Sequence, residues 1–196
     1  MPVTVRYEWA DGMPVSSLVS MRRVWRVVSL FLAIGLVTAA QSSAIAASAG
    51  AGAGASGLPV PRFVSLKAGR VNVRIGPGED YKIAWVFTRP GLPIEVIQEF
   101  ANWRRIRDSD GTVGWVFQSL LAGKRTAVVA PWASDDPRPI RASASPDATV
   151  EAYLQPGVMA EIERCADGWC RLSGANFDGW ISQEQLWGVY PGEEID

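Results

Sequence analysis

Hydrophobic and polar residues alternate over short stretches of this chain, and turn residues separate the stretches. Between Val71 and Ile75 the apolar side chains take one parity, while Asn72 and Arg74 take the other. This period of two predicts a strand with one buried face and one solvent-exposed face. Gly76-Pro77-Gly78 ends the predicted strand, because proline lacks a donor and glycine tolerates a tight reversal.

Similar short stretches recur along the rest of the chain, and none of them shows a long helical period. We predict further strands at 94–100, 103–107, 113–117, 159–164, 169–172 and 179–181. Short strands separated by frequent turns are typical of a small β-barrel or sandwich. The sequence therefore predicts an all-β fold.

The chain from residue 58 onward contains an internal duplication. The landmarks of the first copy are Arg74, Pro90-Gly91, Trp103 and Gly114-Trp115, and those of the second are Arg141, Pro156-Gly157, Trp169 and Gly179-Trp180. The interval from the glycine to the next tryptophan is 12 residues in both copies, and the following interval is 12 or 11. Landmarks that keep this spacing indicate two copies of one small unit.

The N-terminal region has the pattern of an export signal. Arginines at 22, 23 and 26 precede the apolar run 27–40, and the small residues Ala44-Ile45-Ala46 follow. This order predicts a signal peptide over 1–46 that is cleaved after Ala46, which places the protein in the periplasm or outside the cell. An uncleaved anchor is the alternative, although the run has 14 residues and a spanning helix needs about 20.

Met21 is a more natural start than Met1, because it gives the signal an n-region of ordinary length. The alanine-, glycine- and serine-rich segment that follows Ala46 cannot bury a core. We therefore predict a flexible linker over 47–61.

With these landmarks in place, the first copy resembles the bacterial SH3-like domain family. The residues that carry the resemblance are Asn72-Val73-Arg74-Ile75-Gly76-Pro77, Pro90-Gly91, Trp103 and Gly114-Trp115. The match covers about 62–123. The second copy, at 139–190, keeps Arg141 and a proline but loses the asparagine and the glycines. The proline-containing segment 124–138 between the two copies is predicted to be a semi-rigid linker.

The resemblance implies two tandem SH3-like β-barrels of five or six strands each, following the signal helix and the flexible linker. It also implies non-catalytic binding. Exported tandem copies of this family often bind cell-wall peptidoglycan or its peptide stems, and others act as adaptors for a protein partner. We keep both alternatives, and we expect membrane contact only through an uncleaved signal segment.

Composition excludes most catalytic machinery. The chain has no histidine, which removes Ser-His-Asp and Cys-His nucleophiles and histidine metal sites, so no cofactor or metal is expected. Only a pair of carboxylates remains for catalysis. Asp108, Asp110, Glu161 and Glu163 lie in or beside predicted turns and strand faces, where solubility explains them. We therefore predict that the protein is not an enzyme.

Cys165 and Cys170 flank the Asp167-Gly168 turn, so they can face each other across a hairpin. Export would place them in an oxidising compartment, which favours a structural disulfide. A reactive or metal-binding pair is the alternative, but two thiolates without histidine make a poor zinc site.

Several residues of the first copy are candidates for ligand binding. Tyr81 and Trp85 follow the Gly-Pro-Gly turn and have no matched aromatic pair in the second copy. The arginine fork of Arg74 could bind a carboxylate of the ligand or one of its own fold, and recurrence at Arg141 favours the structural alternative. The matched tryptophans, in contrast, are predicted to have core or barrel-closing roles. Their positions are 103, 115, 169 and 180.

Charge is divided unevenly between the halves. Residues 58–126 hold eleven Lys and Arg against six Asp and Glu, while residues 127–196 hold four against twelve. Opposite signs favour docking of the two halves or an anionic partner for the first half. Arg104, Arg105 and Arg107 concentrate positive charge on one hairpin, although a solvated face explains such a run equally well. Arg104 and Arg105 are further binding candidates. Nucleic acid is not an expected partner of an exported protein with an acidic half.

Overall fold

The computed structural model describes residues 52–196, which form a short hairpin followed by two seven-stranded sheets. The predicted all-β fold is confirmed. The predicted signal peptide lies outside the described residues. Within the described part, neither short 3₁₀ helix approaches the length and hydropathy that a membrane span requires.

The hairpin pairs β1 (Gly52–Ala53) with β2 (Pro59–Val60). The first domain contains β3 (Arg62–Leu66), β4 (Val71–Arg74), β5 (Ile83–Phe87), β6 (Pro93–Phe100), β7 (Trp103–Arg107), β8 (Val113–Phe117), a 3₁₀ helix (Gln118–Leu120) and β9 (Leu121–Ala122). All neighbouring strands are antiparallel, and their order in the sheet is β5-β4-β8-β7-β6-β3-β9.

The second domain contains β10 (Thr126–Val129), β11 (Arg138–Arg141), β12 (Val150–Leu154), β13 (Met159–Ala166), β14 (Trp169–Gly174), β15 (Phe177–Ser182), a 3₁₀ helix (Gln183–Gln185) and β16 (Leu186–Trp187). Its strand order is β12-β11-β15-β14-β13-β10-β16. Replacing each strand by the one seven places earlier reproduces the order of the first sheet. The duplication is confirmed.

Each domain closes around its own core because the inward residues of its strands are apolar. The first core consists of Leu66, Val71, Val73, Phe87, Ile94, Val96, Ile106 and Val116. Register shifts occur at equivalent places in the two domains, between Val96 and Gln98 in β6 and between Ile162 and Arg164 in β13. Such bulges bend a strand sharply, as a small barrel requires.

The predicted linker at 124–138 is wrong in part, because Thr126–Val129 within it forms β10. All four of its residues are buried, and the strand pairs with β13 and β16. Only residues 123–125 connect the last strand of the first domain to the first strand of the second. So short a connection favours close docking of the two domains.

The predicted flexible linker over 47–61 is ordered in its described part. Ser56 donates its backbone N–H and its hydroxyl to the Glu99 carboxylate, at 2.7 and 2.8 Å. Arg62 and Arg104 also pair with Glu99, at 2.8 and 3.1 Å. The Glu99 side chain is 1% exposed. These contacts tie the segment that precedes β3 to the first domain.

The two domains lie in one compact unit and contact each other through aromatic rings and hydrogen bonds. Phe63 of the first domain packs against Trp187 and Tyr190 of the second, with ring centroids 5.1 and 4.7 Å apart. Trp187 Nε1 donates to the Pro93 carbonyl at 3.1 Å, and the Tyr190 hydroxyl donates to Glu95 at 2.8 Å. Opposite net charge was expected to favour docking, and two ion pairs join the basic half to the acidic half: Lys124 with Glu161, and Arg125 with Glu193 at 2.6 Å.

The predicted disulfide is confirmed. Cys165 and Cys170 are directly opposite each other in β13 and β14, with Cα atoms 4.1 Å apart. Asp167 and Gly168 both have positive φ, as a two-residue hairpin turn of this hand requires. Both cysteines are buried in the second core.

Candidate functional site

The outer face of the first sheet carries four aromatic side chains, which we call the aromatic platform: Phe100, Trp103, Trp115 and Phe117. Phe100 is opposite Trp103, and Trp103 is opposite Phe117, so these three form one row across β6, β7 and β8. The rings of Trp103 and Phe117 meet edge to face, with centroids 5.4 Å apart. Phe100 is 58% exposed. The platform therefore offers aromatic surface to a ligand.

Two arginines flank Trp115 in the neighbouring row. Arg74 of β4 is opposite Trp115, and Trp115 is opposite Arg105 of β7. Arg105 is exposed, and within residues 52–196 its polar contact is a weak hydrogen bond of 3.4 Å to the Gln98 side chain. Aromatic rings beside a guanidinium group can bind sugars, peptides and carboxylates.

A cleft of about 240 Å³ adjoins the platform at the Arg74 end. Its lining residues are Asn72, Arg74, Glu79, Trp103, Phe117, Ser119 and Leu120. Arg74 Nη1 donates to the carbonyls of Glu79 and Tyr81, at 2.8 and 2.6 Å, and so shapes the loop that forms one wall. Arg141 Nη1 makes the equivalent bond to the Ala148 carbonyl. The structural alternative for Arg74 is thus observed, with backbone carbonyls as partners in place of a carboxylate.

Of the two roles expected for the matched tryptophans, the core role is wrong. Trp103, Trp115, Trp169 and Trp180 are all half-buried, and each stands on the outer face of its sheet. Strand parity explains the placement, because Ile106 and Val116 take the inward positions of β7 and β8. The same parity was visible in the sequence, where Trp103 alternates with Arg104. The core role had been favoured only because the tryptophans recur at matched positions in the two copies.

The two candidate arginines of the predicted basic hairpin, Arg104 and Arg105, point to opposite faces of the sheet. Arg104 takes the inward parity, is 5% exposed and bonds to the carbonyls of Ala101 and Trp103 and to the Gln118 side chain. Together with the Glu99 ion pair, these contacts satisfy its guanidinium, so we leave Arg104 out of the candidate site. Arg105 remains in it.

Tyr81 and Trp85 are not brought together with the platform. The Tyr81 side chain is 47% exposed and lies over Gly76, where an added Cβ would meet its ring at 2.4 Å. Trp85 packs against the first core and against Phe87, with ring centroids 6.1 Å apart. This packing favours a structural role for Trp85, and Tyr81 stays a candidate at the loop.

The second domain has a cleft of about 200 Å³ at the equivalent position. It is lined by Arg138, Pro139, Arg141, Pro146, Trp169, Ile181, Ser182 and Gln185. Ser182 stands where the first domain has Phe117, and Ala166 stands where it has Phe100. The second site therefore keeps the arginine and the tryptophan but lacks two of the four platform aromatics.

A larger cavity of about 530 Å³ lies where the two domains meet. Leu66, Pro90 and Met159 contribute apolar surface to it, while Lys124 and Glu161 form an ion pair at its edge. Its lining residues include no aromatic ring, and Lys67 adds an exposed positive charge beside the Lys124–Glu161 pair. Its chemistry singles out no ligand class.

The carboxylates considered for catalysis have structural partners. Burial raises the pKa of Asp108, against the hydrogen bonds that its carboxylate accepts from the backbone of Thr112 and Asp110. These bonds fix the turn between β7 and β8. Glu161 pairs with Lys124, and Glu163 lies 3.4 Å from Arg171. Within residues 52–196, no group of three acidic or cysteine side chains could hold a metal ion.

This chain is similar to a curated protein, the "Putative N-acetylmuramoyl-L-alanine amidase YrvJ" of Bacillus subtilis (strain 168). It is 26% identical over 123 residues, which are 59% of this chain and 24% of that protein. The chain thus spans about a quarter of the relative's length.

Two solved structures from Trichomonas vaginalis, NlpC2 and NlpC1, are 12% and 13% identical to this chain. The matches cover 65% and 69% of this chain and 48% of each solved chain, with TM-scores of 0.30. These scores are too low to support a conclusion about the site.

The family comparison agrees with the observed sheets. The model of the bacterial SH3 domain matches twice, at residues 67–123 and 134–188, which together make up more than half of the chain. The two matches fall on the two seven-stranded domains. The chain belongs to the bacterial SH3 domain family and carries two tandem copies of the domain.

Proposed function

We propose that this protein is an exported, non-catalytic protein that binds cell-wall peptidoglycan through the aromatic platform of its first domain. The observation that carries the proposal is the platform itself, four aromatic side chains on one outer sheet face beside Arg74 and Arg105. Aromatic faces stack on sugar rings and on peptide groups, and an arginine fork binds carboxylates. Peptidoglycan offers all of these groups.

The comparisons support a cell-wall ligand in general terms. The chain carries two bacterial SH3 domains, and the curated relative has the name of an N-acetylmuramoyl-L-alanine amidase. In N-acetylmuramoyl-L-alanine the sugar of peptidoglycan is bonded to the first residue of its peptide. The relative's name therefore indicates a cell-wall substrate for that protein. The shared segment is a quarter of that protein. We propose that this chain shares wall recognition with the relative.

The absence of histidine and the structural partners of the carboxylates support a non-catalytic role. The disulfide supports export, because disulfides persist in oxidising compartments. We expect the pure protein to release no soluble wall fragments from sacculi. Mass spectrometry of the mature protein is expected to show an N-terminus after Ala46, and a chain that still begins before Val27 would contradict export with cleavage.

Binding to purified sacculi tests the proposed function directly. The protein should sediment with sacculi, and Trp103→Ala should weaken binding about tenfold, the equivalent of about 1.4 kcal/mol. Trp132→Ala is the matched control, because Trp132 is 59% exposed and lies outside the platform. Equal binding by the two variants, or no binding by the wild type, contradicts the proposal.

An adaptor role is the second candidate, and a different surface favours it. Ile75, Tyr81 and Ile83 are 62%, 47% and 46% exposed, and they cluster where β4 turns into the edge strand β5. Exposed apolar groups at a sheet edge suit a protein partner. Crosslinking in intact cells from a residue introduced at Ile75 should then capture one specific protein, whereas capture of wall material alone contradicts an adaptor.

A further inference from the structure

The two domains present matched rows of side chains on their outer faces, identical in type at three of four positions. In the first domain the row runs Arg74, Trp115, Arg105 and Gln98 across four strands. In the second domain it runs Arg141, Trp180, Arg171 and Arg164. Each tryptophan therefore lies between two arginines at matched positions. Because the two domains are copies of one unit, the residues of the two rows can be compared position by position.

Arg171, which matches Arg105, is neutralised in the second domain, while Arg164 at the end of the row stands where the first domain has Gln98. Arg171 donates to Asp178 Oδ1 from Nε at 2.9 Å and from Nη2 at 2.8 Å, and Glu163 lies 3.4 Å away. Two carboxylates thus surround one guanidinium. The hydrogen bond from Arg171 to Asp178 and the charges of both acids raise the pKa of Arg171.

The first domain has apolar residues in place of both acids. Val113 precedes Trp115 by two residues, as Asp178 precedes Trp180, and each lies at the matched place in its strand. Ile97 occupies the bulge of β6, as Glu163 occupies that of β13. Arg105 consequently keeps its charge without a carboxylate partner in residues 52–196.

We infer that Arg105 and Trp115 form a carboxylate-specific subsite in the first domain. At the matched position of the second domain, Asp178 and Glu163 occupy the guanidinium of Arg171, so a ligand carboxylate does not bind there. The inference rests on the proposed function and names the ligand group as a free carboxylate of the wall peptide. Arg105 offers a planar fork that binds a carboxylate through two parallel hydrogen bonds. Trp115 offers an apolar face for the group next to that carboxylate.

The positions of nearby acidic residues favour the Arg105 end of the row as the place where a ligand carboxylate binds. Glu79 lines the cleft at the Arg74 end, where it would repel an anion. Glu95, in the adjoining row, is buried and paired with Arg107 at 2.6 Å between Oε2 and Nη2. The platform rings of Trp103 and Phe117 extend from the subsite toward Arg74 and can accept a sugar. A ligand with a sugar at one end and a carboxylate at the other fits this order.

N-acetylmuramoyl-L-alanine is the probe, and its C-terminal amide is the matched neutral compound. Titration of the purified protein, followed by tryptophan fluorescence or calorimetry, should show at least tenfold tighter binding of the acid than of the amide. Arg105→Gln should remove that preference, and Arg171→Gln should leave it unchanged. Inorganic phosphate should not compete at equal concentration, because the subsite selects the carboxylate together with its neighbouring sugar.

Val113→Asp gives a test that removes no arginine. It places an acid where the second domain has Asp178, so it should lower the affinity for the acid about tenfold and leave the amide unaffected. Val113→Asn is the neutral control and should bind both compounds as the wild type does. Circular dichroism verifies that each variant is folded.

Equal binding of the acid and the amide by the wild type, or an unchanged preference in Arg105→Gln, overturns the inference. If sacculus binding still depends on Trp103 in that case, the proposed function stands without the carboxylate subsite. Failure of the wild type to bind sacculi at all overturns both.

Discussion

The hydroxyl of Tyr190, in the second domain, donates a 2.8 Å hydrogen bond to Oε1 of Glu95, in the first. Arg107 binds the other carboxylate oxygen of Glu95, which is 3% exposed. Tyr190 also packs against Phe63. This buried contact joins residues that lie 95 positions apart, and it orients the two domains with respect to each other.

Tyr190→Phe should therefore destabilise the protein. It leaves a buried carboxylate oxygen without its partner, so we expect the free energy of unfolding to fall by about 1–3 kcal/mol. Denaturation in urea measures the change. Tyr153→Phe is the control, because Tyr153 is 65% exposed, and its stability should match the wild type. Equal stability of the two variants would show that the Tyr190 hydrogen bond contributes nothing.

The same contact predicts a dependence on alkaline pH. Burial, with the hydrogen bond to Glu95 and the charge of that carboxylate, raises the pKa of Tyr190 above its ordinary value of 10.0. A raised pKa contributes stability that is fully present below about pH 10 and is lost as the pH rises further. The free energy of unfolding should be measured between about pH 8 and about pH 11, a range that includes the ordinary pKa of tyrosine. It should fall more steeply with pH in the wild type than in Tyr190→Phe.

Glu99 is expected to govern stability in acid. Burial disfavours its charged form, but hydrogen bonds from Ser56 and Arg62 and the charge of Arg104 together lower its pKa from 4.5 to about 2. The stabilisation is present above pH 4.5 and is lost as the pH falls toward 2.

Glu99→Gln should consequently lower the free energy of unfolding at pH 7 by about 2–3 kcal/mol. The difference from the wild type should shrink when both proteins are unfolded in increasingly acidic buffers. Glu184→Gln, at an exposed position of the second 3₁₀ helix, is the control. A difference that stayed constant with pH would argue against ionisation of Glu99 as the cause.

Gly114 permits close contact between β8 and β4. A Cβ atom at this position would lie 2.4 Å from Val73 Cγ1 and 2.9 Å from Trp85 Cη2. Gly114→Ala should cost about 1–3 kcal/mol, because two core side chains must move. At Gly123 an added Cβ meets nothing within 4 Å, so Gly123→Ala should have little effect. Thermal unfolding of both variants measures the contrast.

The Cys165–Cys170 disulfide should stabilise the second domain by about 2 kcal/mol, the value that the chain-entropy model assigns to so short a loop. Reductant should lower the unfolding temperature of the wild type. The double variant Cys165→Ala/Cys170→Ala should not respond to reductant. A wild type that unfolds identically with and without reductant would contradict a stabilising role.

Local pattern predicted much of the fold. The alternation around Val73 predicted β4, and Asp167-Gly168 predicted a hairpin that places Cys165 opposite Cys170. The spacing of glycine and tryptophan predicted the duplication, which the two identical strand orders confirm. These features depend on neighbours that are near in sequence, so the residue pattern carries them.

Other predictions failed where distant contacts decided the outcome. The residues of β10 show no alternation because all four are buried, and the prolines that follow favoured a linker. The recurrent tryptophans were assigned to the core, although Trp103 shares its parity with the exposed Arg105. The basic hairpin was treated as one surface, but the burial of Arg104 and its pairing with Glu99 show that one of its arginines points inward.

Periodicity, turn residues and repeat spacing act over a few neighbouring positions, so they were enough to predict two related all-β units with a disulfide in the second. The exposure of the aromatic side chains and the pairing of the arginines were established from the folded strands. Those properties depend on which strands lie side by side. Arg105 and Arg171 occupy matched positions, but Arg171 is paired with Asp178, whereas Arg105 has no carboxylate partner among residues 52–196.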